Sequence, residues 1–298
     1  MFDHFLVSVV VAPPLFVALV WLVAGRIAPA QSAVVLAWSA AAAAASSVVN
    51  LAVFAVVAAA EIPAVGRAFG WSTRIVAADT ARVPWVVWLS VVLLVAAGVS
   101  VGRRWTVHRR TLARARVEFP STDGVLVVAD GVPQAFAVPG RPGHVVVTTG
   151  MRDLLSDRHL DALLAHERAH LTGRHHRLVL LADLAAAAHP ALRWVARQVD
   201  YLVERAADEA AARQTGSRRT VAEAIGAAAL ASTGNAHGLN AATPGGVVPR
   251  RVAALLRPGA RTNLWALAVL PAGVAAFTLA WTGEAVYDLV ELLTLAAR

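Results

Sequence analysis

Four stretches of this chain are long and apolar enough to cross a bilayer, and no other feature limits its possible folds so tightly. A spanning helix needs about 20 apolar residues, because hydrocarbon offers an exposed peptide group no hydrogen-bond partner. The stretches cover about 5–24, 33–60, 84–101 and 264–281. The first could pass for a signal peptide, but its leading residues carry Asp3 and neither Lys nor Arg, so a retained span is expected. The second is Ala-rich and long enough to tilt. Trp85, Trp88, Trp105, Trp265 and Trp281 fall near the ends of the last two, where amphipathic rings favour the interface. Composition agrees: 58% of residues are hydrophobic and 15% charged, against about half and about a quarter in soluble domains.

The net charge of +8 is carried by arginine, since the chain has no lysine. In a membrane protein such an excess marks cytoplasmic loops. The chain lacks an aromatic-studded basic module, so no nucleic-acid partner is expected. Arg103, Arg104, Arg109, Arg110, Arg114 and Arg116 follow the third stretch, and Arg250, Arg251, Arg257 and Arg261 precede the fourth. The segment between them should therefore be cytoplasmic, with Arg26 on the same side and both termini extracytoplasmic. Arg67, Arg74 and Arg82 in the outer loop are a mild exception. Three regions are expected: 1–102 with three spans, a cytoplasmic domain over 103–261, and 262–298 with the fourth span and a short tail.

Within the middle region, Asp-Gly and Pro-Gly punctuation separates short strands around 125–129, 135–138 and 144–149. Ser156 is a candidate N-cap for a helix that Gly173 stops. A second helix should run to about His189, and a third from Pro190 to about Gln214, ended by Gly216. Residues 232–249 read as a flexible loop. The strand at 144–149 is either an internal strand or an edge that pairs with an extended peptide.

The stretch "LLAHERAHLTGRHH" concentrates four histidines beside one glutamate. On a helix, His166 and His170 share a face and can bind one zinc together. Glu167, one position away, can reach a water at the metal without ligating it. The chain has no Cys, so zinc must be held by His, Asp or Glu. A catalytic zinc needs a third protein ligand and an open position. In "YLVERAADEAA", Glu204 would complete a His-His-Glu set, with an ion pair to an arginine as its bland alternative. Asp208, four residues on, is either a carboxylate that orients a ligating histidine or a plain structural acid. Glu209 reads as solvated, and His175 and His176 as surface or structural residues. His189, beside Pro190, reads as a helix-boundary cap.

The run from "VPQAFAVPGRPGHVVVTTG" through "HERAH" to "ERAAD", about residues 120–215, resembles the integral-membrane gluzincin zinc metallopeptidases. The early spans, short protease domain and late span are most similar to the BlaR/MecR-type antirepressor peptidases; HtpX-like quality-control proteases share the HExxH, the "AFA" strand and the later ExxxD. The resemblance implies a multi-pass α-helical bacterial membrane protein with an inserted cytoplasmic α+β zincin-like domain. It implies zinc on His166, His170 and Glu204, with Glu167 as base. The β-lactam sensors carry a penicillin-binding domain after the last span, and the short tail here is not expected to provide one, so a separate sensor partner is possible. The expected activity is zinc-dependent cleavage of a protein substrate, regulatory as with a transcriptional repressor. Quality control of membrane proteins is the alternative, and a non-catalytic zinc-binding scaffold or signal transducer the rival.

Overall fold

The computed structural model describes residues 2–23, 26–81, 83–120, 122–232, 246–257 and 265–298. Most of the expected loop at 232–249 therefore lies outside the described residues, as do Arg82 and Arg261. The protein is mostly helical, with four helices long and apolar enough to cross a membrane (Phe2–Leu22, Pro29–Glu61, Pro84–Glu118 and Ala266–Ala296) and one small sheet.

The first rod comprises α1 (Phe2–Phe5), a π-helical stretch (Leu6–Val11) and α2 (Ala12–Val23). Pro13 and Pro14 cannot donate backbone hydrogen bonds, so carbonyls of the preceding turn must find other partners. Ser8 O accepts from Ser47 Oγ at 2.6 Å, and Val9 O lies 3.0 Å from His189 Nε2. Ser47 belongs to α3 (Pro29–Glu61), which starts with proline at its first turn. Buried Ser32, Ser39, Ser46, Ser47 and Asn50 give α3 a small-residue face that lets other helices approach closely.

Two short helices, α4 (Pro63–Phe69) and α5 (Thr73–Thr80), connect α3 to α6 (Pro84–Glu118). No break occurs at residue 102: α6 continues straight through the arginine run, where Arg104 meets Asp183 at 2.7 Å. The sheet follows, with β1 (Val125–Val128), β2 (Ala135–Val138) and β3 (His144–Thr148) in the order β1-β3-β2. β3 pairs parallel with β1 and antiparallel with β2, and all five of its residues are buried. The strand at 144–149 is therefore internal and cannot receive a peptide; β1 and β2 form the two edges.

The helical part of the domain comprises α7 (Thr149–Leu154), α8 (Asp157–Thr172), α9 (His175–Ala188), α10 (Arg193–Thr215), α11 (Arg218–Ser232) and α12 (Val247–Leu256). Ser156 Oγ caps α8 by accepting from the His159 N–H at 3.4 Å. Gly216 ends α10 at φ 69°, a left-handed conformation that glycine adopts without strain. The α9–α10 hairpin does not stand clear of the spans. Ala182, Ala185, Leu192, Val195, Val199 and Leu202 share one buried core with Phe16, Val20, Leu36 and Ala40. That apolar run is too short to register as a span of its own, yet it is buried as deeply as one.

The fourth long helix, α13 (Val269–Ala296), does not stop near Trp281. The tail continues it, because its Ala, Leu and Glu residues are strong helix formers. Asp288 accepts at 3.0 Å from His4 Nε2, so the two ends of the chain meet. Further along α13, Thr282 Oγ1 accepts from Asn50 Nδ2 at 2.9 Å. Asn50→Ala is expected to cost about 1 kcal/mol. Thermal unfolding in detergent measures it, and an unchanged midpoint would show that this contact does not tie α13 to α3.

Candidate metal centre

α8 presents His166 and His170 on one face, as their four-residue spacing requires. α10 packs against α8 and brings Glu204 to the same place. The two Nε2 atoms lie 3.1 Å apart, and the Glu204 carboxylate oxygens lie 3.5 Å from each. A tetrahedral zinc with ligands at about 2.0–2.1 Å separates them from one another by roughly 3.3 Å, so these three donors fit that ion. His166 is buried, whereas 18% of the His170 side chain and 32% of the Glu204 side chain stay exposed, which leaves an open approach.

Asp208, fully buried one turn after Glu204, places Oδ1 3.0 Å from His166 Nδ1, within ion-pair distance but without hydrogen-bond alignment. It also accepts two hydrogen bonds from Arg251, from Nε at 2.9 Å and from the terminal nitrogen at 2.6 Å. Arg251 reaches Glu204 as well, at 2.7 Å. In the sequence Arg251 is one of the arginines ahead of the fourth apolar stretch, a topological charge; in the structure it is only 8% exposed and projects inward from α12. The signal lay in spacing, because Val248, Arg251, Val252 and Leu255 share one helix face and the three apolar residues join the α8–α10–α11 core.

His175 is the second residue the sequence reading set aside. Its Nδ1 lies 3.1 Å from His170 Nδ1 and its ring packs edge-on to the His170 ring. His170 is thus held on the side opposite the donor that faces His166. Gly173 allows this: a Cβ there would collide with the His175 ring. His176 lies elsewhere, beside the arginines of α6 and α9. His189 contacts Val9 O in the first rod and takes no part in the site. Glu209 is paired rather than simply solvated, to Arg205 at 3.1 Å and to Arg218 at 2.5 Å.

The electrostatics are uneven. Burial lowers His166, but the Asp208 and Glu204 carboxylates outweigh it and push it up to about 9. Burial dominates at His170 and brings it down to about 4, so that ring is neutral at pH 7. Burial would raise Glu204, but its contact with His166 and the Arg251 charge hold it at about 2. Glu167, outside the donor set, is raised to about 7, chiefly by burial; the Ala137 backbone N–H hydrogen-bonds it from β2. Two carboxylates thus face one guanidinium and one protonated imidazole, and the charges cancel.

The class defined by this arrangement is a membrane protein whose inserted domain gathers a His-His-Glu cluster able to hold a metal ion beside a further glutamate. Residues 103–184 match the family model Peptidase family M48. That match includes α8 and ends before Glu204, so the family model does not speak for the third donor. A similar protein is the "Protease HtpX homolog" of Campylobacter hominis, 35% identical over 89 residues, 29% of each chain. The "Protease HtpX homolog" of Thermodesulfovibrio yellowstonii is 32% identical over 95 residues, 31% of this chain and 32% of that one. The alignments thus span about three-tenths of the relatives' length. No solved structure matches the chain significantly.

Two outcomes are expected here. A ligating histidine must be neutral, so zinc uptake at pH 7.4 should displace about one proton from His166, whose raised value of about 9 keeps it protonated there. The release should fade as pH rises past that value. Calorimetric titration in two buffers of different ionisation enthalpy measures it; no buffer dependence at pH 7.4 would contradict a protonated His166. Asp208→Ala, which leaves Arg251 and His166 buried without their carboxylate, should cost about 3–5 kcal/mol. Chemical unfolding in detergent would test this, and a loss under about 1 kcal/mol would count against the pair.

Proposed function

We propose that the protein is a membrane-bound zinc metalloendopeptidase. The observation that carries this reading is Glu167 standing free beside three donors spaced for zinc. Zinc, when bound, supplies a Lewis acid that polarises the scissile carbonyl and acidifies water. His166, His170 and Glu204 would hold it, leaving one position open. Glu167 then takes a proton from the attacking water and delivers it to the leaving amine. A carboxylate raised to about 7 suits both halves of that exchange near neutral pH. Asp208 and Arg251 act through their contacts, fixing the His166 ring and the Glu204 carboxylate. A non-catalytic scaffold has no need of a base at position 167.

The arginine distribution supports a site facing the cytoplasm, with both termini outside. Two roles fit the chemistry. Regulatory cleavage of a repressor or similar factor follows from the antirepressor-like motif order, and clearance of membrane proteins from the similarity to HtpX homologues. Comparing protein fragments in cells with and without the active enzyme separates them: one dominant target supports regulation, many supports clearance.

Glu167→Gln is expected to keep about one zinc per chain while lowering cleavage by about 10²–10⁴-fold. Glu204→Ala should weaken or lose zinc. Metal analysis and peptide cleavage on detergent-purified protein measure both, and a Glu167→Gln variant as fast as the unaltered enzyme would refute the mechanism.

A further inference from the structure

A cavity of about 600 Å³ opens beside the metal centre, between the β2–β3 turn, α6 and the start of α9. Arg116, Arg141, Arg174, Arg177, His144 and His176 line it, and no acidic side chain does. Among the described residues none of these four arginines makes an ion pair; Arg116 Nε donates only to the Pro139 carbonyl, at 3.1 Å. His144 is 1% exposed and both of its ring nitrogens lack a hydrogen-bond partner. A buried imidazole with nothing to bond is costly, and the four arginines, all exposed, give the cavity mouth a positive field. An anionic occupant would satisfy the first and be drawn by the second.

Position narrows the choice. β2 is a sheet edge, and it leads from the candidate metal centre to the cavity. The Ala137 N–H bonds Glu167, and the next two residues, Val138 and Pro139, line the cavity wall. From the helix side Leu171, adjacent to His170, lines it too. A lipid headgroup fits poorly, because Arg116 stands about fifteen residues, roughly 22 Å along α6, past the end of the apolar stretch near Val101. An extended peptide paired along β2 would reach the site and the cavity together. Antiparallel pairing, the more stable kind, runs that peptide with its N-terminal side over the cavity.

We propose that this cavity is the subsite for an acidic segment of the peptide substrate, on the N-terminal side of the bond that is cut. The proposal rests on the protease reading above and adds the substrate's chemistry. The arginine forks and His144 would bind its carboxylates, and β2 would set its register.

The test uses full-length, zinc-loaded protein in detergent with a mixed peptide library, cut sites being read by mass spectrometry. Asp and Glu should be enriched about tenfold just before the cut, a preference of about 1.4 kcal/mol. The Arg141→Gln/Arg177→Gln double variant should bring that enrichment close to one. Cutting with no acidic preference on that side would overturn the proposal. Binding of acidic and neutral peptides to Glu167→Gln, followed by fluorescence anisotropy, reads the cavity without turnover. If nothing is cut, the protease reading fails, and this binding then decides for the cavity alone. Tighter acidic binding that the double variant abolishes supports it, and equal binding overturns it. Inorganic phosphate that binds the cavity with no accompanying peptide preference would also overturn it, by assigning a small anion instead.

Discussion

Helix α10 belongs to two cores at once, and the candidate metal centre lies where those cores meet. Its first half buries Val195, Ala196, Val199, Leu202 and Val203 against the first rod and α3. Its last turns bury Ala211 and Ala212 with Ala162 and Ala165 of α8 and with Val221 and Ile225 of α11. Glu204 and Asp208 lie between these patches, on the face toward α8. The helix is unbroken and packed at both ends, which places its acids beside His166 and His170. Alanine is what makes this possible: a surface of small residues lets α8 and α10 approach closely enough for short side chains to share an ion.

Such a site would be costly without its charges arranged as they are. Asp208 is fully buried, and an isolated carboxylate there would be strongly destabilising. Arg251 offsets it with two parallel hydrogen bonds, and its third nitrogen reaches Glu204. The guanidinium therefore links the ligand to the acid that faces the other ligand. α12 must dock for this link to form, and it docks through Val248, Val252 and Leu255. The site is thus completed from three separate stretches of chain, only one of which carries the HExxH.

That division explains what the sequence disclosed and what it withheld. Local signals worked where the physics is local. The three strands, the Ser156 cap, the Gly216 stop and the His166–His170 face follow from alternation, capping and helical spacing. Arg251 escaped because an arginine near a span reads as a topological charge, and only docking of α12 turns it inward. His175 escaped because its contact with His170 depends on the chain reversing at Gly173 and Arg174, the latter at φ 49°. Strand order also lies beyond local pattern: β3 is buried on both sides because β1 and β2 flank it, and nothing within 144–148 announces that. Past Trp281 the chain carries Glu284, Asp288 and Glu291, and its helix propensity continues α13 through them.

The burial of the α9–α10 hairpin in the spans has a mechanical consequence. α9 begins at His175, which touches His170, and ends at His189, which touches Val9 in the first rod. α10 returns from that rod to Glu204. The first rod is thus in contact with both ends of the path to His170 and Glu204 through the hairpin. The inserted domain is better described as braced by the long apolar helices than as tethered to them. A domain on a flexible linker would need its own core to hold Glu204 in place; here much of that core is supplied by Phe16, Val20, Leu36 and Ala40 of the spans. The His-His-Glu cluster and the packing of the long apolar helices are one structural problem, solved by the same helix.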